Sequence, residues 1–247
     1  MKRLFVSVLH EPSEKEPFLV LDKPSGLASA PLRPGDDSAL TQALSLFPEI
    51  AGVEGRKAVE KGLVHRIDTA TRGCVLIAST QASYDYFMKL QAEGGFIKHY
   101  TAHVTPLTVS QMAKMCSEGF PPPPLDYHAI SLDTPVFVES QFRGYGPKHR
   151  AVRPVTPQAG KAALKKSDAT LYRTEIMLQD QSTALCRISA GYRHQVRCHL
   201  AWLGLPVQHD SLYNPLSKDK AEGVLSFTAS ALDFLNPSDG RRIYISL

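Results

Sequence analysis

The 247-residue chain is expected to fold as a single α+β domain, with a mixed, mostly antiparallel sheet flanked by helices and loops. Three observations point there. Segments with period-2 alternation recur along the chain, most clearly "FIKHYTAHV" at 96–104. Two stretches, 80–93 and 193–204, carry helical spacing instead. No repeat of solenoid spacing and no long low-complexity linker interrupts the pattern, "PPPP" at 121–124 being the only biased run.

"FLVLDKPSGL" reads as a short strand ending in a turn, with Pro24 at the second turn position and Gly26 at the fourth. Leu63–Ile67 and Cys74–Ser79 read as two strands around "HRIDTATRG". Thr80 can cap a helix running to about Glu93, with Tyr86, Phe87 and Leu90 on one face and Gly94-Gly95 ending it. In the strand at 96–104, Lys98 and Tyr100 share a mainly apolar face, an unusual place for a lysine. Residues 105–168 read as a loop-rich, insertion-like region. "TLYRTEIML" and "ALCRIS" return to strand character, and "RHQVRCHLAWLG" reads as a helix with Val196, Leu200 and Leu203 as its apolar stripe. The tail alternates and turns like a closing hairpin.

Composition narrows the function. With 43% hydrophobic and 21% charged residues, the chain resembles a soluble globular protein. No apolar run approaches the roughly 20 residues of a membrane span. Leu4–Leu9 is too short for the core of a signal peptide, so a cytoplasmic, membrane-free protein is expected. Cys74, Cys116, Cys186 and Cys198 are scattered, without a CxxC pair, as in a reduced compartment. Between Gln141 and Lys166 lie seven basic residues and no acidic one, although the remaining 21 basic residues face 24 acidic ones. Such a stretch suits either a polyanion partner or a solvated loop.

"HRIDTATRG" places His65, Arg66, Asp68 and Arg72 within eight residues, more charge than a hairpin turn needs. Arg193 and Arg197 are i,i+4 on the expected last helix; either could snorkel or could keep a buried carboxylate ionised, Asp68 being the obvious candidate. A metal site is not expected: His194 and His199 stand about 140° apart on a helix, and no HExxH or CxxC supplies further ligands. GxSxG, GxGxxG and Walker patterns are absent, so no nucleotide or other cofactor is expected. One aspartate among arginines, a tyrosine and a lysine suits chemistry on a polyanionic substrate.

Four segments in order resemble the RluA-like family of RNA pseudouridine synthases: "LDKPSGL" (21–27), "GLVHRIDTATRG" (62–73), "KHYTAHV" (98–104) and "GYRHQVRCHLAWLGLPVQHDSLYN" (191–214). The tail "LDFLNPSDG" is similar to the family's ending. The resemblance implies a pseudouridine-synthase-like catalytic domain spanning 1–247, without a separate N-terminal RNA-binding module. It further implies isomerisation of uridine to pseudouridine in a structured RNA, ribosomal or transfer, by a monomer that needs no cofactor. Asp68 would be the essential carboxylate, acting on the ribose, on the base or as a proton acceptor. Tyr100 would stack on the target base, Arg197 would pair with Asp68, and Leu200 would line the pocket. Arg66 would fill the gap left by the flipped nucleotide. His65, Lys98 and Arg193 join this substrate-binding set, with Lys148, Arg150 and Arg153 along the RNA backbone. The sequence departs from the family's pattern at Arg72 (usually Ser), at Tyr192-Arg193 (usually Arg-Thr) and at His209 (usually Gly). A non-catalytic RNA-binding protein and a ribonuclease using His65, His194 and His199 are the rival readings.

Overall fold

A computed structural model describes residues 4–33, 35–217 and 223–247. In chain order its first elements are β1 (Ser7–His10), β2 (Phe18–Lys23), α1 (Ala39–Leu46), β3 (Arg72–Ala78), α2 (Gln81–Ala92) and β4 (Ile97–His103). There follow α3 (Val109–Ser117), β5 (Val136–Tyr145), β6 (Ala151–Val155), α4 (Lys161–Lys165), β7 (Tyr172–Leu178), β8 (Thr183–Ile188) and α5 (Gln195–Trp202). β9 (Phe227–Leu235) and β10 (Arg242–Ser246) close the chain. The residues group into two compact units, one of residues 1–100 and 228–247, the other of 101–227.

In the first unit β2 pairs antiparallel with β1 and β3, and β10 pairs antiparallel with β9. β3 and β9 run parallel through Arg72 and Gly73, which makes the sheet mixed but mostly antiparallel. Gly73 is required there: its φ is +130°, and a Cβ would lie 2.2 Å from the Ala229 carbonyl oxygen. β2 and β3 are buried on both faces, so they read as apolar runs rather than alternating ones. Thr80 caps α2 as expected, and Ser83 completes a capping box with it. Phe87 and Leu90 of α2 enter a core with Phe18, Phe96 and Phe234, whose rings meet mostly edge-to-face at 5.1 to 6.0 Å.

The second unit holds the antiparallel order β8-β7-β5-β6. The region expected to be loop-rich therefore contains a ten-residue strand, its hairpin partner and two helices. α5 also differs from expectation. It begins at Gln195, because His194 takes a left-handed φ of 58°, so Arg193 lies before the helix and not on a shared face with Arg197. All eight residues of α5 are buried, not only an apolar stripe. Its polar members are satisfied internally: Gln195 donates to the Arg173 carbonyl at 3.0 Å and to Thr174 Oγ1 at 3.1 Å.

Two other readings shift. The β2 turn is closed by Leu27 N–H on the Pro24 carbonyl, which puts Gly26 third, where its φ of +91° is the one a type II turn needs. Leu63–Ile67 is not a strand: only Leu63 bridges to Ile77, and residues 64–68 are irregular.

Candidate active site

Gly62 starts the loop that carries Asp68. A Cβ at this position would meet the Ala78 carbonyl oxygen at 2.1 Å, so only glycine lets the chain press against β3. Beyond Val64 the backbone leaves β3 and finds its partners in the turn after β2. Ser29 Oγ donates to the Ile67 carbonyl at 2.8 Å and accepts from Ile67 N–H at 3.1 Å. Gly26 N–H and Ser25 Oγ donate to the Thr69 and Ala70 carbonyls, each at 2.7 Å. Thr71 N–H closes a turn on the Asp68 carbonyl at 2.9 Å. The first two motifs therefore form one clamped pair of loops, with Asp68 half-buried between its anchors.

Lys23 secures the clamp and was not singled out from sequence. Its ammonium, fully buried, donates to the carbonyls of Leu27 (2.7 Å), Pro24 (3.1 Å) and Thr69 (3.3 Å). Burial lowers its pKa to about 8, against the opposite pull of Asp68 and then Asp22. Asp68 thus has a cation in its surroundings that is supplied by the first motif. A lysine ending an apolar strand before a proline was the available signal; its Thr69 partner, 46 residues away, was not.

β4 alternates as expected. Lys98 and Tyr100 are both buried on one face, with Ile97, His99 and Thr101 on the other. The Lys98 ammonium lies 5.3 Å from the Phe96 ring centroid, and burial lowers its pKa to about 8. His65 packs beside the same ring at 5.4 Å. Its Nε2 accepts the Leu76 N–H at 3.2 Å, while burial, and then the Lys98 charge, lower its pKa to about 3. The neutral ring therefore carries its proton on Nδ1, which has no hydrogen-bond partner among the described residues.

The exposed arginines of the loop have carboxylate partners. Arg66 Nη1 meets Glu60 Oε1 at 2.9 Å. Arg72 forks onto Asp22 of β2 at 2.7 to 3.2 Å, and this hydrogen-bonded pair raises its pKa. The departure at Arg72 is thus taken up by a cross-strand ion pair.

In the second unit Arg197 and Asp210 form a buried bidentate pair, with Nε and Nη2 each 2.8 Å from a carboxylate oxygen. Asp210 Oδ1 also accepts the Leu212 and Tyr213 N–H groups, so the charge pair is fully supported. Leu200 is fully buried and presents no open surface. Arg193 turns to the β5–β6 loop, donating through Nη2 to the carbonyls of His149 and Ala151. Tyr192 stacks on Phe142 at 5.0 Å. His209 takes a left-handed φ of 60°, a conformation that costs glycine least.

Two of the three histidines of the ribonuclease reading, His65 and His199, are buried. His199 is fully buried, its two ring nitrogens 2.8 Å from Thr174 Oγ1 and 2.9 Å from Ser140 Oγ. Burial lowers its pKa to about 3, so neither it nor His65 holds a proton to donate as imidazolium near neutral pH. His194 Nδ1 lies 2.9 Å from the Tyr213 hydroxyl. Among the described residues, no three His, Cys, Asp or Glu side chains gather as a metal site would require.

The basic segment divides. Lys148 and Arg150 are exposed at the tip of the β5–β6 hairpin. Arg153 corrects the expectation of a phosphate contact: it is 4% exposed, its guanidinium 4.1 Å from both the Phe120 and Tyr145 ring centroids. It donates inward, to the Val152 and Glu118 carbonyls. It is a packing arginine.

Residues 17–202 match the family model described as RNA pseudouridylate synthase, and the chain belongs to that family. It is 26% identical over 239 residues to the ribosomal large subunit pseudouridine synthase D of Zymomonas mobilis, covering 93% of this chain and 66% of that protein. It is 27% identical over 202 residues to the tRNA pseudouridine(31) synthase of Saccharomyces cerevisiae, covering 81% of this chain and 45% of that protein. The chain thus spans about half to two thirds of the length of these curated relatives. The structure of human RNA pseudouridylate synthase domain containing 1 superposes with a TM-score of 0.66 at 17% identity, over 100% of this chain and 86% of that one, which shows a shared fold. The α+β architecture and the family are thereby established.

Proposed function

We propose that the chain isomerises uridine to pseudouridine in a structured RNA, with Asp68 as the essential carboxylate. The observation that carries this reading is the clamped Asp68 loop with the buried Lys23 ammonium in its field, in a chain of this family. Attack on the ribose, attack on the base and proton removal all use the carboxylate as an anion. The uracil leaves C1′ through N1, turns while held, and rejoins through C5; the C5 proton is lost and N1 gains one. Product and substrate are isomers at the same oxidation level, so the scheme calls for no redox cofactor.

Tyr100 is assigned to stacking on the uracil, and Lys98 and His65 to the wall behind it. Arg66 is assigned to the gap left by base flipping, and Arg197 keeps the role the resemblance implies. Lys148 and Arg150 remain the RNA-backbone contacts; Arg153 leaves that set, and Arg193 is assigned to holding the loop that bears them. The reading includes a monomer that acts in the cytoplasm. No helix among the described residues is long and apolar enough to cross a membrane.

The test is the product. Incubated with transcribed ribosomal and transfer RNA, the protein should leave the chains intact and convert one or more uridines to a nucleoside of equal mass and different chromatographic retention. Shortened RNA, or bound RNA with uridine unchanged, would replace the proposal by one of the rival readings.

A further inference from the structure

Glu60 is the acidic residue of a basic loop. Arg56 and Lys57 are exposed before it and Lys61 follows, yet its carboxylate bonds Arg66, six residues on. The two partners differ in freedom: the Glu60 side chain is 12% exposed and that of Arg66 is 59% exposed. The loop fixes Glu60 in place. Its N–H donates to the Lys57 carbonyl at 2.8 Å, and its carbonyl accepts Leu63 N–H at 2.9 Å. Lys61 next to it takes a left-handed φ of 42°, and a Cβ at Gly55 would meet the Lys61 carbonyl oxygen at 2.2 Å. A mostly buried carboxylate on an anchored backbone therefore holds an exposed cation by one hydrogen bond.

We propose that Glu60 sets the resting position of Arg66 and competes with RNA for it. The inference rests on the reading that Arg66 enters the gap left by the flipped nucleotide. To do so the guanidinium exchanges the Glu60 carboxylate for the base stack. The pair is exposed on the arginine side, so its hold is weak enough to be released on each turnover, and it biases Arg66 against RNA whose base stack does not open. Glu60 is a positioning residue in this scheme and touches no reacting atom. It raises selectivity at the expense of affinity, because RNA that cannot reward Arg66 meets it already paired.

The experiment is a double-mutant cycle read by RNA binding and by base opening. The probes are transcribed ribosomal and transfer RNA stem-loops, with 2-aminopurine beside a loop uridine to report unstacking. Glu60→Gln keeps the shape and removes the charge. In the parent background it should tighten binding and increase the unstacked signal by about twofold to fivefold, the range of an exposed ion pair. In the Arg66→Ala background it should change neither. Glu54→Gln, which removes an exposed acid of the neighbouring turn, serves as the general charge control and should act equally in both backgrounds. An equal effect of Glu60→Gln in both backgrounds, or none in the parent, overturns the inference alone. An Arg66→Ala protein that binds and unstacks RNA as the parent does overturns the reading of Arg66 beneath it, and the inference with it.

Discussion

Lys98 gives the account a thermodynamic handle that does not depend on knowing the RNA. Its ammonium is 5% exposed on an apolar strand face, and burial lowers its pKa from 10.5 to about 8. In the unfolded chain the group returns to 10.5. Between those values the unfolded state holds a proton that the native state has released, so native stability rises as pH rises from about 8 to 10.5. Below pH 8 both states are protonated and the slope from this group vanishes. At about 1.36 kcal/mol per pH unit of displacement, the full rise is about 3 kcal/mol. Lys98→Met removes it. Buried thiols act in the opposite sense, since Cys74 is pushed up from 9 to about 12 and costs stability as pH climbs past 9. That loss is common to parent and variant and cancels in the difference. Urea denaturation at intervals from pH 7 to 10.5 should therefore show the parent gaining about 3 kcal/mol on Lys98→Met across the window. A parent-minus-variant difference that stays flat with pH would refute the argument that burial, rather than a compensating partner, governs this lysine.

Other expectations follow from the same geometry. His199 should make the fold acid-sensitive: its native pKa of about 3 lies below the ordinary 6.5, so stability is full above pH 6.5 and is lost as pH falls towards 3. His199→Gln should flatten that loss in equilibrium unfolding; an unchanged acid limb would argue against a neutral buried imidazole. Arg153→Met should alter stability, not RNA affinity, whereas Lys148→Ala and Arg150→Ala should weaken RNA binding and lower the log–log salt slope by about 0.7 to 0.9 per lost contact. Filter binding across salt concentrations separates these outcomes, and a slope change confined to Arg153 would reverse the assignment. Tyr100→Phe should bind RNA nearly as the parent does, while Tyr100→Ala should lose about 1 to 3 kcal/mol of stacking; equal titration curves for the three proteins would make Tyr100 a strand residue only.

Where periodicity and local chemistry decide structure, the sequence was readable. The alternation of β4 located Lys98 and Tyr100, and the Thr80 cap located α2. What stayed hidden depended on distant partners. Nothing local marks Lys23 as the anchor of Thr69, or places Arg153 between Phe120 and Tyr145. α5 defeated a stripe-based reading because every face is buried and its polar residues meet partners brought by β5, β7 and the segment around Asp210. β5 alternates, yet it follows the proline run and a stretch of irregular chain, and its pairing with β7 is made across more than 30 residues. The Asp68 motif itself was legible as chemistry, since its charge exceeded what a turn requires. Its clamp became visible only when Ser25, Gly26 and Ser29 were seen on its carbonyls.

The central claim is that one carboxylate carries the isomerisation, and Asp68→Asn tests it most directly. The amide preserves the shape and the loop's backbone anchors, so the variant should unfold at nearly the parent's urea midpoint and bind RNA with nearly the parent's affinity. It cannot act as nucleophile or base. Nucleoside chromatography of RNA after single-turnover incubation should show pseudouridine with the parent and none with Asp68→Asn. Pseudouridine formed by the folded, RNA-bound variant at a rate near the parent's would contradict the claim.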